Sequence, residues 1–183
     1  MNAYQLIRSR RKTLAIQVKP DGAVLVRAPL RMPQREIDEA VSRHGAWIEK
    51  TRQKAAASAP DPADLLTPEQ IRELAALAMD DLPKRVERFA PLVGVRCGRI
   101  TVRNQRTKWG SCTSAGNLNF NCLLMLCPPE VRDYIVVHEL CHRKRMDHSP
   151  AFWAEVARIL PDYKTREAWL KANGASVLRR MTG

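Results

Sequence analysis

Three residues set the chemistry this chain can do. His138, Glu139 and His142 stand together as His-Glu-Leu-Cys-His. On a helix, side chains four apart lie on one face about one turn apart, so both imidazoles can share a single metal ion. Glu139, next to the first histidine, can reach a water held by that metal. This H-E-x-x-H spacing is the arrangement of zinc hydrolases. Such a site needs a third protein ligand and one open position. His148, six residues past His142, is the candidate; a helix-capping or solvated histidine is the alternative. Three neutral imidazoles would leave one Zn2+ per chain with its full charge, lowering the pKa of a bound water and polarising a carbonyl. Glu139 would be the general base, taking the water's proton and passing it to the leaving amine.

The elements around the motif must hold these groups rigidly. Pro128 and Pro129 open a helix whose apolar face is Val131, Tyr134, Ile135 and Val137, ending near Arg145. Ser149 and Pro150 supply an N-cap and first-turn proline for the next helix, lined by Phe152, Trp153, Val156, Ile159 and Leu160. His148 then falls in the turn between the two helices, where it can point back at the pair. Pro161-Asp162-Tyr163 breaks the second helix, residues 165–172 form a third, and the basic tail after Gly174 reads as frayed. Upstream, residues 99–103 read as a strand, 107–112 as a loop or turn, and 114–117 as a turn. Residues 118–124 alternate Leu118, Phe120 and Cys122 with Asn117, Asn119 and Asn121, the pattern of a half-buried strand with an uncharged polar face.

The first third differs in character. Residues 4–8, 13–18 and 23–27 read as three strands of a β-meander, with Pro20-Asp21-Gly22 as a turn. Residues 34–57 have helical periodicity, with His44 on the surface. A Pro-rich connector follows over 58–64. Thr67, Pro68 and Gln70 then form the start signal of a helix that runs to about Phe89, with Pro83 a site for a kink.

The chain has 183 residues and 45% hydrophobic content, which suits one domain over 1–183, with an N-terminal part at 1–57 and a catalytic core at 67–183. No stretch approaches a membrane span, and no apolar leader is visible, so a cytoplasmic location without membrane attachment is expected. Five cysteines, an odd number with no C-x-x-C pair, suit reduced thiols, and Cys141 suits a small buried packing position. The formal charge of +12 admits an anionic ligand or a nucleic acid as partner; a solvated basic surface is the alternative.

The chain resembles the YgjP-like metallopeptidase family, relatives of the SprT-like and WLM zincins. The residues that carry the resemblance are Arg106–Cys112 (Arg-Thr-Lys-Trp-Gly-Ser-Cys), Gly116–Asn119, Asn121, Pro128, Asp133–His142, His148–Trp153 and Pro161–Tyr163, with the N-terminal layout also fitting. Asp147 stands where that family usually has asparagine, and an acid there could partner a ligand histidine. The resemblance implies an α+β fold: a zincin-like catalytic domain with a small antiparallel sheet and an active-site helix, preceded by the β-meander and helix. It implies catalytic zinc on His138, His142 and His148, with Glu139 as general base and a polypeptide as substrate. In zincins an edge strand beside the active helix binds extended peptide, which would place Asn119 and Asn121 of the 118–124 strand at the substrate. Lys108 and Trp109 would line the site or form a structural turn. Tyr163 would act as an oxyanion donor or pack at a helix break. Three functions remain open on sequence: a zinc peptidase, a metal-dependent hydrolase of nucleotides or phosphate esters, and a DNA-associated metalloprotease-like protein.

Overall fold

The computed structural model describes residues 4–19, 21–57 and 64–181; Pro20 of the first turn and residues 58–63 of the connector lie outside these. The chain divides into two compact units, Met1–Ala59 and Pro60–Gly183.

In the first unit, strands β1 (Gln5–Ser9), β2 (Ala15–Val18) and β3 (Val24–Pro29) form one sheet, but not as a meander. Their order is β1-β3-β2, with β3 antiparallel to β2 and parallel to β1. Alternation in a sequence fixes which side chains face the core, not which strand is the neighbour. The most apolar strand, with Val24, Val26 and Ala28 buried, takes the centre, where both its edges are paired. Gly22, at φ 81°, makes the turn before it. The helix expected over 34–57 is two, α1 (Gln34–Arg43) and α2 (Gly45–Ala57). They separate at the exposed His44, whose Nδ1 donates to the Ala40 carbonyl at 2.8 Å. Ile37 and Ile48 pack on the sheet.

The second unit is built on α3 (Pro68–Val93). Thr67 and Gln70 cap it reciprocally, Thr67 Oγ1 accepting from Gln70 N–H and Gln70 Oε1 from Thr67 N–H. It continues past Phe89, through Pro83 and Pro91, to Gly94, whose φ of 79° ends it. Its stripe of Ala78, Leu82, Val86, Phe89 and Val93 is buried with α4 (Pro129–Cys141) in one core. Arg85 ties the two helices together: it pairs with Asp81 at 2.7 Å and with Asp133, and donates to the Pro129 carbonyl at 3.1 Å. Side chains of α4 are buried on nearly every side, as expected of a helix inside a core.

Strands β4 (Ile100–Arg103), β5 (Gly110–Cys112) and β6 (Leu118–Asn121) form a second sheet in the order β4-β6-β5. It is mixed rather than antiparallel, because β6 runs parallel to β4 and antiparallel to β5. β5 falls within the segment expected as a loop; three residues containing a glycine are too short to show a period of two. β6 stops at Asn121 and the chain enters a 3₁₀ helix, Cys122–Leu126, because Asn121 Oδ1 accepts from Leu123 N–H at 3.0 Å and caps it. Helices α5 (Pro150–Ile159) and α6 (Tyr163–Arg179) complete the unit. The tail is not frayed: α6 runs through the buried Gly174, and the Arg180 carbonyl accepts from Leu66 N–H at 2.9 Å. Among the described residues no helix is long and apolar enough to cross a membrane. The α+β class is as expected.

Candidate metal centre and active site

Helix α4 places His138 and Glu139 in its last turn. The helix ends at Cys141, four residues short of the expected Arg145, and the next turn tightens to i→i−3 bonds, Arg143 N–H to Leu140 and Lys144 N–H to Cys141. That tightening returns the Arg145 carbonyl to His142, whose Nδ1 donates to it at 3.0 Å. A carbonyl only accepts, so Nδ1 carries the proton and Nε2 keeps its lone pair. After the turn, Ser149 starts α5 with Pro150 in its first turn, and His148 faces back. Donor atoms of His138, His142 and His148 all lie within 4.8 Å of one another. The Nε2 atoms of His138 and His148 are 3.1 Å apart. Donors at zinc distances of 2.0–2.1 Å in a tetrahedron sit roughly 3.3–3.4 Å apart, so this set of nitrogen donors fits a small divalent ion.

Phe152, fully buried at the start of α5, is the common floor of the cluster. Its ring centroid lies 4.9 Å from that of His138, 4.6 Å from His142 and 4.9 Å from His148. Trp153 stacks on His148 at 5.8 Å. Burial first, and the neighbouring imidazoles second, push the pKa of His138 down to about 3. His142 is lowered for the same leading reason. Both stay neutral, the form a metal requires. Asp147 does not bond a histidine; its Oδ1 accepts from Ser149 Oγ at 2.8 Å.

Glu139 is 5% exposed, and burial pushes its carboxyl up to about 8, with the Lys108 charge pulling it back. β5 passes directly over it. A Cβ on Gly110 would lie 2.7 Å from Glu139 Oε1 and 2.8 Å from its Cγ, so only glycine fits there. Nothing in the sequence near Gly110 signals this need, which comes from a residue 29 positions later.

The proposed substrate strand needs correction. β6 is the central strand, with β4 on one edge and β5 on the other, so it has no free edge. The free edge beside Glu139 belongs to β5. Asn121 N–H donates to the Trp109 carbonyl at 2.8 Å and Thr113 N–H to that of Asn117 at 2.9 Å. In an antiparallel ladder this alternation turns the backbone groups of Trp109, Ser111 and Thr113 toward β6, and those of Gly110 and Cys112 outward.

The other candidates divide. Lys108 is exposed near Glu139. Asn119 is half-buried on Ser111, with Nδ2 3.4 Å from its Oγ. Asn121 is fully buried, and Nδ2 donates to the carbonyls of Gln105 at 2.6 Å and Lys108 at 2.9 Å, pinning the loop before β5. Trp109 packs on α6, with ring atoms 3.3 Å from where a Gly174 Cβ would be. Tyr163 stacks on Trp153 at 5.5 Å and on Tyr134 at 6.4 Å.

A family model described as YgjP-like, metallopeptidase domain, matches residues 12–76 and 68–173. No curated protein matches the chain. Among solved structures, the chain is similar to the metallopeptidase zymogen of Pyrococcus abyssi abylysin, at 21% identity over 50% of this chain and 93% of that one, with a TM-score of 0.47. It is also similar to the metallopeptidase zymogen of Methanocaldococcus jannaschii jannalysin, at 21% identity over 51% of this chain and 95% of that one, with a TM-score of 0.44.

Proposed function

This chain belongs to the YgjP-like metallopeptidase family, and we propose that it is a zinc-dependent peptidase in which His138, His142 and His148 hold one zinc ion and Glu139 is the general base. The observation that carries this reading is the convergence of three imidazole donors beside one buried carboxylate. Bound zinc would supply Lewis acidity toward a carbonyl oxygen and acidify a water.

The chain's own groups do the rest. Burial holds His138 and His142 unprotonated, and the Arg145 carbonyl fixes the ring of His142. Among the described residues His138 Nδ1 is buried with no hydrogen-bond partner. That cost is one a ligand bond at Nε2 would offset. A carboxyl that holds its proton up to about pH 8 is a strong base once ionised. Glu139 would take the proton from the attacking water and hand it to the departing amine nitrogen. A polypeptide laid along β5 would pair with the outward backbone groups of Gly110 and Cys112, which brings its carbonyl past Glu139. Five free cysteines suit work in a reducing compartment such as the cytoplasm.

A substrate panel tests this. Zinc-loaded protein and its Glu139→Gln variant are each offered unfolded casein and nucleoside triphosphates. Casein is cleaved by the parent, and the variant loses on the order of 10²–10⁴-fold in rate. Intact casein with Glu139-dependent cleavage of triphosphate would replace the peptidase with a phosphate-ester hydrolase.

A further inference from the structure

The sheet beside the site has a charge bias that catalysis by itself does not use. Between Glu87 and Glu130 the chain has no aspartate or glutamate, yet Arg88, Arg96, Arg99, Arg103, Arg106 and Lys108 all fall there. These six supply half of the formal +12 from less than a quarter of the length. The stretch contains the whole second sheet, β4 to β6, and its connecting loops. All six residues are exposed. Elsewhere in the unit many cations are paired with carboxylates: Lys84 with Asp80, Arg85 with Asp81 and Asp133, Lys144 and Arg158 with Glu155, Arg166 with Asp162 and Lys171 with Glu167. None of the six has such a partner among the described residues.

Three of these charges gather at one end of the sheet, two of them on the loop that leads into the free edge of β5. Arg103 ends β4 in register with Asn121. The Asn121 amide holds the carbonyls of Gln105 and Lys108, and so fixes the loop that carries Arg106 and Lys108. Two residues after Lys108 the chain reaches Gly110, directly over Glu139. A field of one sign, unrelieved by any nearby carboxylate on the same stretch, therefore borders the edge where a peptide would lie.

We infer that this acid-free sheet selects polypeptide substrates carrying aspartate or glutamate near the scissile bond. The inference rests on the peptidase reading above and adds a substrate class to it. Two observations favour an acidic polypeptide over a nucleic acid. The outward groups of Gly110 and Cys112 alternate donors and acceptors, which a peptide backbone matches and a phosphodiester backbone, lacking donors, does not. The aromatic rings of the stretch also point inward: Phe89 and Phe120 are buried, and Trp109 packs against Gly174. No ring is left as a platform for stacked bases.

Quenched fluorogenic peptides of one length test this, with identical centres flanked by glutamate, glutamine or lysine, offered to the zinc-loaded full chain. Each exposed charge pair is worth a few-fold at most, and several act together, so kcat/KM falls roughly tenfold from the glutamate to the glutamine peptide and further to the lysine peptide. The glutamate-to-glutamine ratio shrinks in molar salt, and shrinks likewise in an Arg103→Gln/Arg106→Gln double variant. Equal cleavage of all three peptides, or a preference indifferent to salt and to the double variant, overturns the inference and leaves the peptidase reading standing. Anisotropy of the labelled peptides on the Glu139→Gln variant covers the opposite case. If no peptide is cut but the glutamate peptide still binds best, the peptidase reading fails and the selection stands. Tight, salt-sensitive binding of duplex DNA by that variant, with no ranking among the peptides, would assign the cations to nucleic acid instead and overturn the inference.

Discussion

Replacing Glu139 by glutamine should change how the metal-free protein's stability depends on pH, and the size of the change follows from the site. Burial moves this carboxyl from an ordinary 4.5 to about 8. Its folded-state pKa is raised, so its contribution to stability is fully present below 4.5 and is lost as pH rises through 8. His138 acts in the opposite sense: burial lowers it from 6.5 to about 3, so its contribution is present above 6.5 and is lost as pH falls. Between 4.5 and 6.5 these two trends oppose each other, with His142, also lowered by burial, on the side of His138. Well above 6.5 the Glu139 trend dominates, and each pH unit removes up to about 1.4 kcal/mol until 8 is approached. The metal-free parent should therefore lose about 1–2 kcal/mol of unfolding free energy between pH 6.5 and 8. Glutamine keeps the shape and carries no charge, so that loss should vanish in Glu139→Gln. The assay is urea unfolding of chelator-treated protein at half-unit steps of pH, with the slope against urea checked for constancy. Parallel profiles for parent and variant across that window would show that Glu139 is not desolvated as described, and the argument for its basicity would go with it.

Three further changes probe the framework of the site. Gly110→Ala drives a methyl to within 2.7 Å of Glu139 Oε1; it should cost about 1–3 kcal/mol in urea unfolding and sharply lower kcat toward casein. Phe152→Leu keeps the core filled but removes the ring beneath all three imidazoles. Competition with a zinc chelator should show affinity weakened roughly 10–100-fold, with a thermal midpoint shifted far less than by Phe152→Ala, which costs about 3–5 kcal/mol. Asn121→Asp leaves the carbonyls of Gln105 and Lys108 without a donor and buries a charge beside them. Calorimetry should show about 3 kcal/mol or more of destabilisation, and a variant as stable as the parent would mean the loop is not held by this amide.

The part of the site written in local spacing was legible in the sequence. The i, i+4 histidines and the Ser149-Pro150 helix start are near-neighbour patterns, and they bring the three imidazoles together. The Thr67 capping box is equally local. What escaped depends on distant pairings. Alternation marked β1, β2 and β3 but could not say that β3 lies between the others. Asn121 looked solvent-facing from its alternation, yet the 105–108 loop folds over it and takes its Nδ2 hydrogens, while Leu123 N–H takes its Oδ1. Gly110 read as a turn glycine, because the atom that excludes any side chain there belongs to Glu139 on α4. Phe152 read as one more apolar residue of α5; its place under three rings depends on how α5 meets α4.

Metal content measured directly on protein purified without chelator is the sharpest test of the three-histidine centre. About one zinc per chain should be found, and His142→Ala, with its far-ultraviolet dichroism unchanged, should carry none and cleave no casein. A metal-free parent that still cleaves casein, or a His142→Ala variant that keeps its zinc, would contradict the centre outright.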